Sequence, residues 1–385
     1  MAPRLLVVGC GAIGGVVAAH LLEQGLDTTA LTTNPLIADA INTNGFVVRG
    51  EGALGAVRGS ALRALPKNSA PFDYVLLATQ PTDVEKAARE ALHALAPDGV
   101  MVCFQNGLCE ERVGTIIGPE RVLGAVVAWG ASMIEPGVYD RTSAGGFALG
   151  RPSGLVDGKV EELGRLLESV GPVHTTDNLL GSRWSKLAIN CAISSLGTVG
   201  GDRLGVLLRH RFVRRLALEI MTETRDVARA LDVRLEKVAG TLDLDWIALT
   251  PADRASAGSA SLVAKHALLL AVGARYRRLR SSMLAAIERG RPPAVDFLNG
   301  EVVTRGRALG IPTPVSATVH ERVHAIARSK LSPSLDSLRA LYADTRALVT
   351  PGVDEPPSTQ APPATEPFAE VGNEANAAQT SEPSP

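Results

Sequence analysis

At 385 residues the chain is long enough for two domains, by a prior of roughly 150 residues each. Its hydrophobic fraction of 45%, charged fraction of 21% and formal net charge of -1 are those of an ordinary globular protein and give no electrostatic case for a nucleic-acid or membrane partner. The cysteines at 10, 103, 109 and 191 lack C-x-x-C spacing or histidine-rich company, and no secretory leader or membrane-length apolar run is evident. The expectation is therefore a reducing, cytoplasmic setting without a disulfide framework or metal site.

Arg4-Leu-Leu-Val-Val8 reads as a strand buried on both faces. It runs into Gly9-Cys-Gly-Ala-Ile-Gly14 and then a helical pattern from Val16 to Gln24. Strand, glycine turn and helix together are the setting of a dinucleotide fingerprint. In that reading Gly9 makes the tight turn, Gly11 lets backbone N–H groups reach a pyrophosphate, and Gly14 lets helix and strand pack closely. Cys10, Ala12 and Ile13 belong to the same loop; a purely structural glycine turn is the alternative. Asp27 to Leu31 is the second strand, and the residues after it decide which ribose is read. Thr32, Thr33 and Asn34 are neither acid nor arginine, so NAD and NADP both stay open, although the missing acid removes a repulsion against NADP.

After an Asn44-Gly45 turn, Phe46 to Arg49 begins a glycine-rich strand excursion. Phe72 to Ala78 restores the buried-strand pattern, Thr79 to Asp83 supplies a turn and helix cap, and Val84 to Leu95 is helical. Val100 to Phe104 is a strand ending in Gln105-Asn-Gly107. Asn106 there is either a turn residue, which the local sequence favours, or an amide aimed at the cofactor. Val122 to Trp129, Gly137 to Arg141, Gly146 to Gly150 and Pro172 to Thr176 are further strands, with a helix from Gly158 to Val170 before the last.

From Asn178 helix follows helix: Leu180 to Leu196, Leu204 to Leu231, Ala260 to Ile287, Val295 to Leu309 and Ala317 to Arg328. The change of period predicts an α/β, doubly wound Rossmann-type domain over residues 1–177 and an all-helical domain over 178–346. Residues 347–385, rich in Pro, Ala, Glu, Ser and Thr, read as a disordered acidic tail. His266, His320 and His324 stand in no motif and are expected on helix surfaces.

One stretch resists a bland reading. Lys186, Asn190 and Ser194 recur at intervals of four and share a helix face, while Leu187, Ala188, Ile189, Cys191, Ala192 and Ile193 between them look fit for burial. A buried polar group left unpaired costs roughly 2–7 kcal/mol on transfer scales. Either the protein satisfies that stripe or a ligand does.

Several blocks in order resemble the ketopantoate reductase (2-dehydropantoate 2-reductase) family. They are Gly9-Cys-Gly-Ala-Ile-Gly14, Gln105-Asn-Gly107, Trp184-Ser-Lys-Leu-Ala-Ile-Asn190, Ser281-Ser-Met-Leu284, Asp296-Phe-Leu-Asn-Gly300 and Gly310-Ile-Pro-Thr-Pro314, across roughly residues 4–330. The resemblance implies NADPH-dependent reduction of a 2-keto acid, ketopantoate being the family default. It implies Lys186 as the catalytic lysine, Asn190, Ser194 and Ser282 beside substrate, and Asn34, Gln80 and Asn106 beside cofactor together with the glycine loop. Substrate binding and a homodimer contact fall to the helical part. Four positions depart from the family pattern. Gln80 stands for a second lysine, Ser194 for a second asparagine, Asn34 for the arginine that reads the 2′-phosphate, and Ala294 for a substrate-holding glutamate. These departures leave two alternatives: a non-catalytic NADP-binding sensor or scaffold, or an oxidoreductase for a less polar carbonyl compound.

Overall fold

The side chains of Leu5–Val8, strand β1, alternate between two hydrophobic clusters: Leu5 and Val7 point to one, Leu6 and Val8 to the other. The structure, a computed structural model, describes residues 2–237, 242–255 and 258–349. The remaining strands among these residues are β2 (Thr28–Leu31), β3 (Phe46–Gly50), β4 (Gly55–Val57), β5 (Ala61–Leu62), β6 (Phe72–Leu77), β7 (Leu95–Cys103), β8 (Val122–Val127), β9 (Ala131–Glu135), β10 (Val138–Arg141), β11 (Phe147–Gly150) and β12 (Val173–Thr175). Eight of them form one sheet in the order β12-β11-β8-β7-β6-β1-β2-β5, parallel throughout except where β11 meets β8.

Helices cover both faces, which is why the strands read as continuous apolar runs. α1 (Ala12–Glu23), α2 (Pro35–Asn44) and α5 (Gly158–Leu167) pack on the Leu5 and Val7 side; α3 (Val84–Ala91) and α4 (Cys109–Ile117) pack on the Leu6 and Val8 side. With β2 and β5 to one side of β1 and β6, β7 and β8 to the other, the strand order reverses at β1. A ligand crevice belongs at the carboxyl ends of strands at such a switch point.

The glycine-rich excursion turns out to be half of a second sheet, β4-β3-β10-β9. It packs on α1: the Tyr139 ring of β10 fills the space that a Cβ on Gly15 would occupy, and its hydroxyl donates to the Cys10 carbonyl at 3.1 Å. The sequence signals had missed β9, α2 and α4, whose short spans lack a clean period.

After β12 the described elements are helical: α6 (Leu179–Gly200), α7 (Leu204–Leu207), α8 (Arg211–Ala230), α9 (Leu244–Ile247), α10 (Pro251–Ala255), α11 (Ala260–Arg275), α12 (Ser282–Glu288), α13 (Asn299–Leu309), α14 (Pro314–Ala327) and α15 (Leu335–Val349). None is long and apolar enough to cross a membrane. The central helix is α6. Its start is capped by the Asn178 side chain, which accepts from the Gly181 N–H, and it ends at Gly201 in a left-handed conformation, φ 72°. α8, α12, α14 and α15 surround it.

Four expectations need correction here. The helix expected over 204–231 breaks into α7 and α8, because the Arg214 guanidinium donates to the carbonyls of Leu208 and Arg209 at 2.6 and 2.9 Å and closes the break. The one expected over 260–287 breaks into α11 and α12, where Ser281 caps a fresh start by accepting from the Leu284 N–H. Residues 347–349, assigned to the tail, finish α15, whose Leu338, Leu341 and Thr345 are buried. The rest of the expected tail lies outside the described residues. His266 also departs from its expected surface place: it is buried on α11.

Candidate active site

The loop after β1 separates glycines the fold requires from one it does not. Gly9 has φ +100°, and a Cβ there would stand 2.9 Å from the backbone of Ala78 and Thr79 at the end of β6. A Cβ on Gly14 would lie 1.9 Å from the Gly9 carbonyl oxygen. Gly11 is different. Its φ is -73°, which any residue adopts, and a Cβ on it meets nothing within 4 Å. It heads α1, which has neither a side-chain cap nor an acidic residue in its first turn. Open N–H groups and the positive end of a helix dipole therefore face the crevice, the donor set an anionic pyrophosphate needs.

Among the other residues expected beside the cofactor, Cys10 turns its side chain inward. It is buried, its thiol lies 3.7 Å from the Leu31 carbonyl, and burial pushes the thiol up to about 12. What it offers a ligand is its backbone. Ala12 and Ile13 open α1. Asn34 caps α2, its side-chain oxygen accepting from the Leu36 N–H at 3.0 Å. Gln80 is exposed just past β6, and Asn106 is exposed just past β7. Asn106 precedes Gly107 at φ +93°, the turn that the local sequence favours, and its side chain is exposed.

Helix α6 lies across the strand ends. Arg183, buried, donates to the carbonyls of Cys103 and Gln105 at 2.7 Å each and pairs with the buried Glu110 of α4. Burial pushes the Glu110 carboxyl above its ordinary value, and the guanidinium draws it back part of the way. Sequence reasoning missed this pair, though an arginine beside Trp184 on an apolar helix was a signal that something charged had to meet it. One turn on, the Lys186 ammonium donates to the Val127 carbonyl at the end of β8, at 2.6 Å. Burial, with the Arg183 charge adding to it, pushes Lys186 down to about 7.

Lys186, Asn190 and Ser194 are all half-buried, while Leu187, Ala188, Cys191 and Ala192 are fully buried. Ile189 and Ile193, expected in the core, are half-buried with the stripe. The Asn190 side-chain nitrogen is buried and has no partner, as is the Gln105 side-chain oxygen at the end of β7. An amide stranded in this way keeps donor capacity that a water or a ligand can take up. Ser281 donates from its hydroxyl to the Ser194 carbonyl at 2.8 Å, which fastens the start of α12 to the stripe and leaves the next residue, Ser282, exposed there.

Ala294 sits in a single 3-10 turn, Ala294–Phe297. The Phe297 carbonyl lies where a Cβ on Gly107 would be, 2.6 Å away, so this turn abuts the Asn106-Gly107 loop. Two carboxylates could have replaced the missing glutamate, and both are engaged elsewhere. Glu301 pairs with Arg112 at 3.2 Å and Arg305 at 2.7 Å; Glu288 pairs with Arg280. His320 and His324 are not idle surface residues either. Both Nε2 atoms bond the Asp296 carboxylate, at 2.6 and 2.8 Å.

The loop after β1 thus offers open N–H groups of the kind that suit an anionic dinucleotide, and α6 offers a half-buried ammonium and an unpaired amide. Residues 5–154 match the family described as ketopantoate reductase PanE/ApbA, and residues 178–327 match its C-terminal part, ketopantoate reductase PanE/ApbA C terminal. A 2-dehydropantoate 2-reductase from Mesorhizobium japonicum is 26% identical, aligned over 84% of this chain and 98% of its own length. Among solved structures, a PanE/ApbA family ketopantoate reductase from Ralstonia eutropha is 25% identical with a TM-score of 0.71, over 85% of this chain and 99% of that one. D-mandelate dehydrogenase with NADH and anilino(oxo)acetate shares the fold at a TM-score of 0.71, with 19% identity over 86% of this chain and 100% of that one. Both halves answer to one family in the same order along the sequence, and the chain therefore belongs to the ketopantoate reductase family, pyridine-nucleotide-dependent oxidoreductases that act on CH–OH groups.

Proposed function

We propose that this protein reduces a 2-keto acid to the 2-hydroxy acid, with residues 1–177 holding the cofactor and residues 178–346 the substrate. The observation that carries the reading is Lys186: a half-buried ammonium pushed down to about 7, one helical turn from the unpaired Asn190 amide. A bound nicotinamide supplies the hydride. Lys186 holds a proton at Nζ and delivers it to the carbonyl oxygen as negative charge develops there, so the same group stabilises the charge and quenches it. Asn190 donates from Nδ2 to the substrate, and the Ser194 and Ser282 hydroxyls complete that wall. The open N-terminus of α1 at Gly11 holds the pyrophosphate, and Gln80 and Asn106 border the nicotinamide half.

NADPH is the cofactor assigned, because none of Thr32, Thr33 and Asn34 is an acid that would repel a 2′-phosphate; the lack of an arginine there makes NADH the competitor to measure beside it. Ketopantoate is the family substrate. Ala294, with Glu288 and Glu301 both committed to arginines, favours a less polar keto acid, since a site that loses its acceptor for a substrate hydroxyl loses most discrimination for it. A cytoplasmic, homodimeric enzyme is part of the same proposal. The test is loss of reduced-nicotinamide absorbance with a panel of 2-keto acids that includes ketopantoate and apolar analogues. If a nucleotide stabilises the protein thermally but no keto acid adds to the shift or is turned over, the chain is a nucleotide-binding sensor instead.

The glycine loop gives a sharper check on the cofactor wall. Gly11→Ala is expected to fold, melting within a few degrees of the parent, and to lose nucleotide affinity because the new methyl enters the ligand's space. Gly14→Ala is expected to lose stability at or above the upper end of the roughly 1–3 kcal/mol of an overpacked position. Thermal melts and nucleotide titrations of the two variants separate these effects. Equal affinity in Gly11→Ala and the parent would remove the pyrophosphate from this loop.

A further inference from the structure

Away from the reductive chemistry, the fold gathers three metal-ligating groups that sequence reading had left unconnected. His320 and His324 are one turn apart on α14, so both project from the same face. Their ring centroids lie 4.7 Å apart, and both turn Nε2 toward the Asp296 carboxylate of the 3-10 turn. The three donor atoms fall within 4.8 Å of one another. Gly300, at the start of α13, makes room: a Cβ there would stand 3.0 Å from the His320 Nε2.

We propose that Asp296, His320 and His324 form a binding site for a divalent transition-metal ion of the zinc class, which ties the turn 294–297 to α14. Two imidazoles and one carboxylate with an open fourth position are a donor set that Zn²⁺ accepts at about 2.0–2.2 Å, with water completing a tetrahedron. Imidazole selects such ions over magnesium or calcium, which prefer all-oxygen shells. A tetrahedral ion at those bond lengths spaces its donors about 3.3 Å apart. Seating one therefore draws the Asp296 carboxylate back by about half an ångström or slightly more from its present contacts, and closes any donor pair that stands nearer the 4.8 Å limit. Asp296 is exposed and both histidines are half-buried, so the movement meets no packed core.

The position gives the ion a structural consequence. Asp296 is two residues from Ala294, Phe297 abuts the Asn106-Gly107 loop, and Asn299 takes a hydrogen bond from the Ser195 hydroxyl of α6. An ion at Asp296 would hold in place the segment that bridges the strand-end loop and the lysine helix.

The experiment uses the untagged full chain, freed of metal by chelator and desalted. Zn²⁺ is titrated by calorimetry, and Co²⁺ is added separately to read its visible d–d bands. The expected result is one Zn²⁺ per chain, intense Co²⁺ bands of a tetrahedral site, and a melting midpoint raised by several degrees at saturating Zn²⁺. His324→Gln and His320→Gln should each weaken Zn²⁺ at least tenfold and abolish both the shift and the bands, while their metal-free melts stay near that of the parent. Zn²⁺ affinity unchanged in both variants, or no stoichiometric binding by the parent, would overturn the proposal.

Discussion

Replacing Lys186 by methionine is expected to lower turnover by roughly 10²–10⁴ while raising the melting temperature at pH 7. The two effects share one cause. The helix face that carries Lys186 to the end of β8 also takes its ammonium out of water, and burial together with Arg183 pushes it down from 10.5 to about 7. Below pH 7 the lysine is charged in both states, and folding bears the whole cost of burying that charge. Between pH 7 and 10.5 the folded protein sheds the proton while the unfolded chain keeps it, so the unfolded state binds more protons and stability rises with pH. The gain from Lys186→Met is therefore largest at or below pH 7 and fades towards pH 10.5. It is offset in part by the Val127 carbonyl, which loses its donor at a cost of about 1 kcal/mol. Melts and initial rates of parent and variant at pH 6.5 and 9.5 read all of this. A variant less stable than the parent at pH 6.5 would show that the ammonium is held by favourable contacts and not merely tolerated.

Removing Arg183 is expected to have the largest effect on stability. Arg183→Met leaves Glu110 buried without its partner and strips the Cys103 and Gln105 carbonyls of their donor. Breaking a buried pair from one side costs about 3–5 kcal/mol, whereas replacing both partners by apolar groups is often close to neutral. The double variant Arg183→Met, Glu110→Met should thus recover much of the loss, and a denaturant series on the four proteins measures the coupling. Activity should fall further than stability alone explains, because Arg183 fastens α6 to the end of β7 just beside the strand end that Lys186 reaches. Two losses that simply add would mean that the two side chains do not act as a pair.

The parts of the fold legible in the sequence were those with a strong local period. Strands β1, β6 and β8 announced themselves as apolar runs because both faces of the sheet are covered, and α6 did so as a helix with a polar stripe. What escaped was decided by contacts distant in sequence. The excursion after Gly45 became a sheet only because β10 returns to pair with β3. The breaks before α8 and α12 were made by Arg214 and Ser281 acting on the backbone, which a periodicity count cannot see. The candidate site divides in the same way. Lys186, Asn190 and Ser194 were readable from their spacing, and the glycine loop from its setting. Which glycine the chain itself does not require was visible only in the space around Gly11. The Arg183–Glu110 pair and the Asp296, His320 and His324 cluster join residues 73, 24 and 28 positions apart, and no local motif records them.

The central claim is that Lys186 acts as a protonated general acid in nicotinamide-dependent reduction of a 2-keto acid. It is tested most directly by kcat/KM for reduction from pH 5.5 to 9.5, followed through the reduced-nicotinamide absorbance with the best substrate of the panel. The account predicts turnover on a plateau at low pH that breaks near pH 7 and falls about tenfold per pH unit above it, as the ammonium is lost. A rate that stays flat through pH 9.5, or no oxidation of reduced nicotinamide by any 2-keto acid, would contradict it.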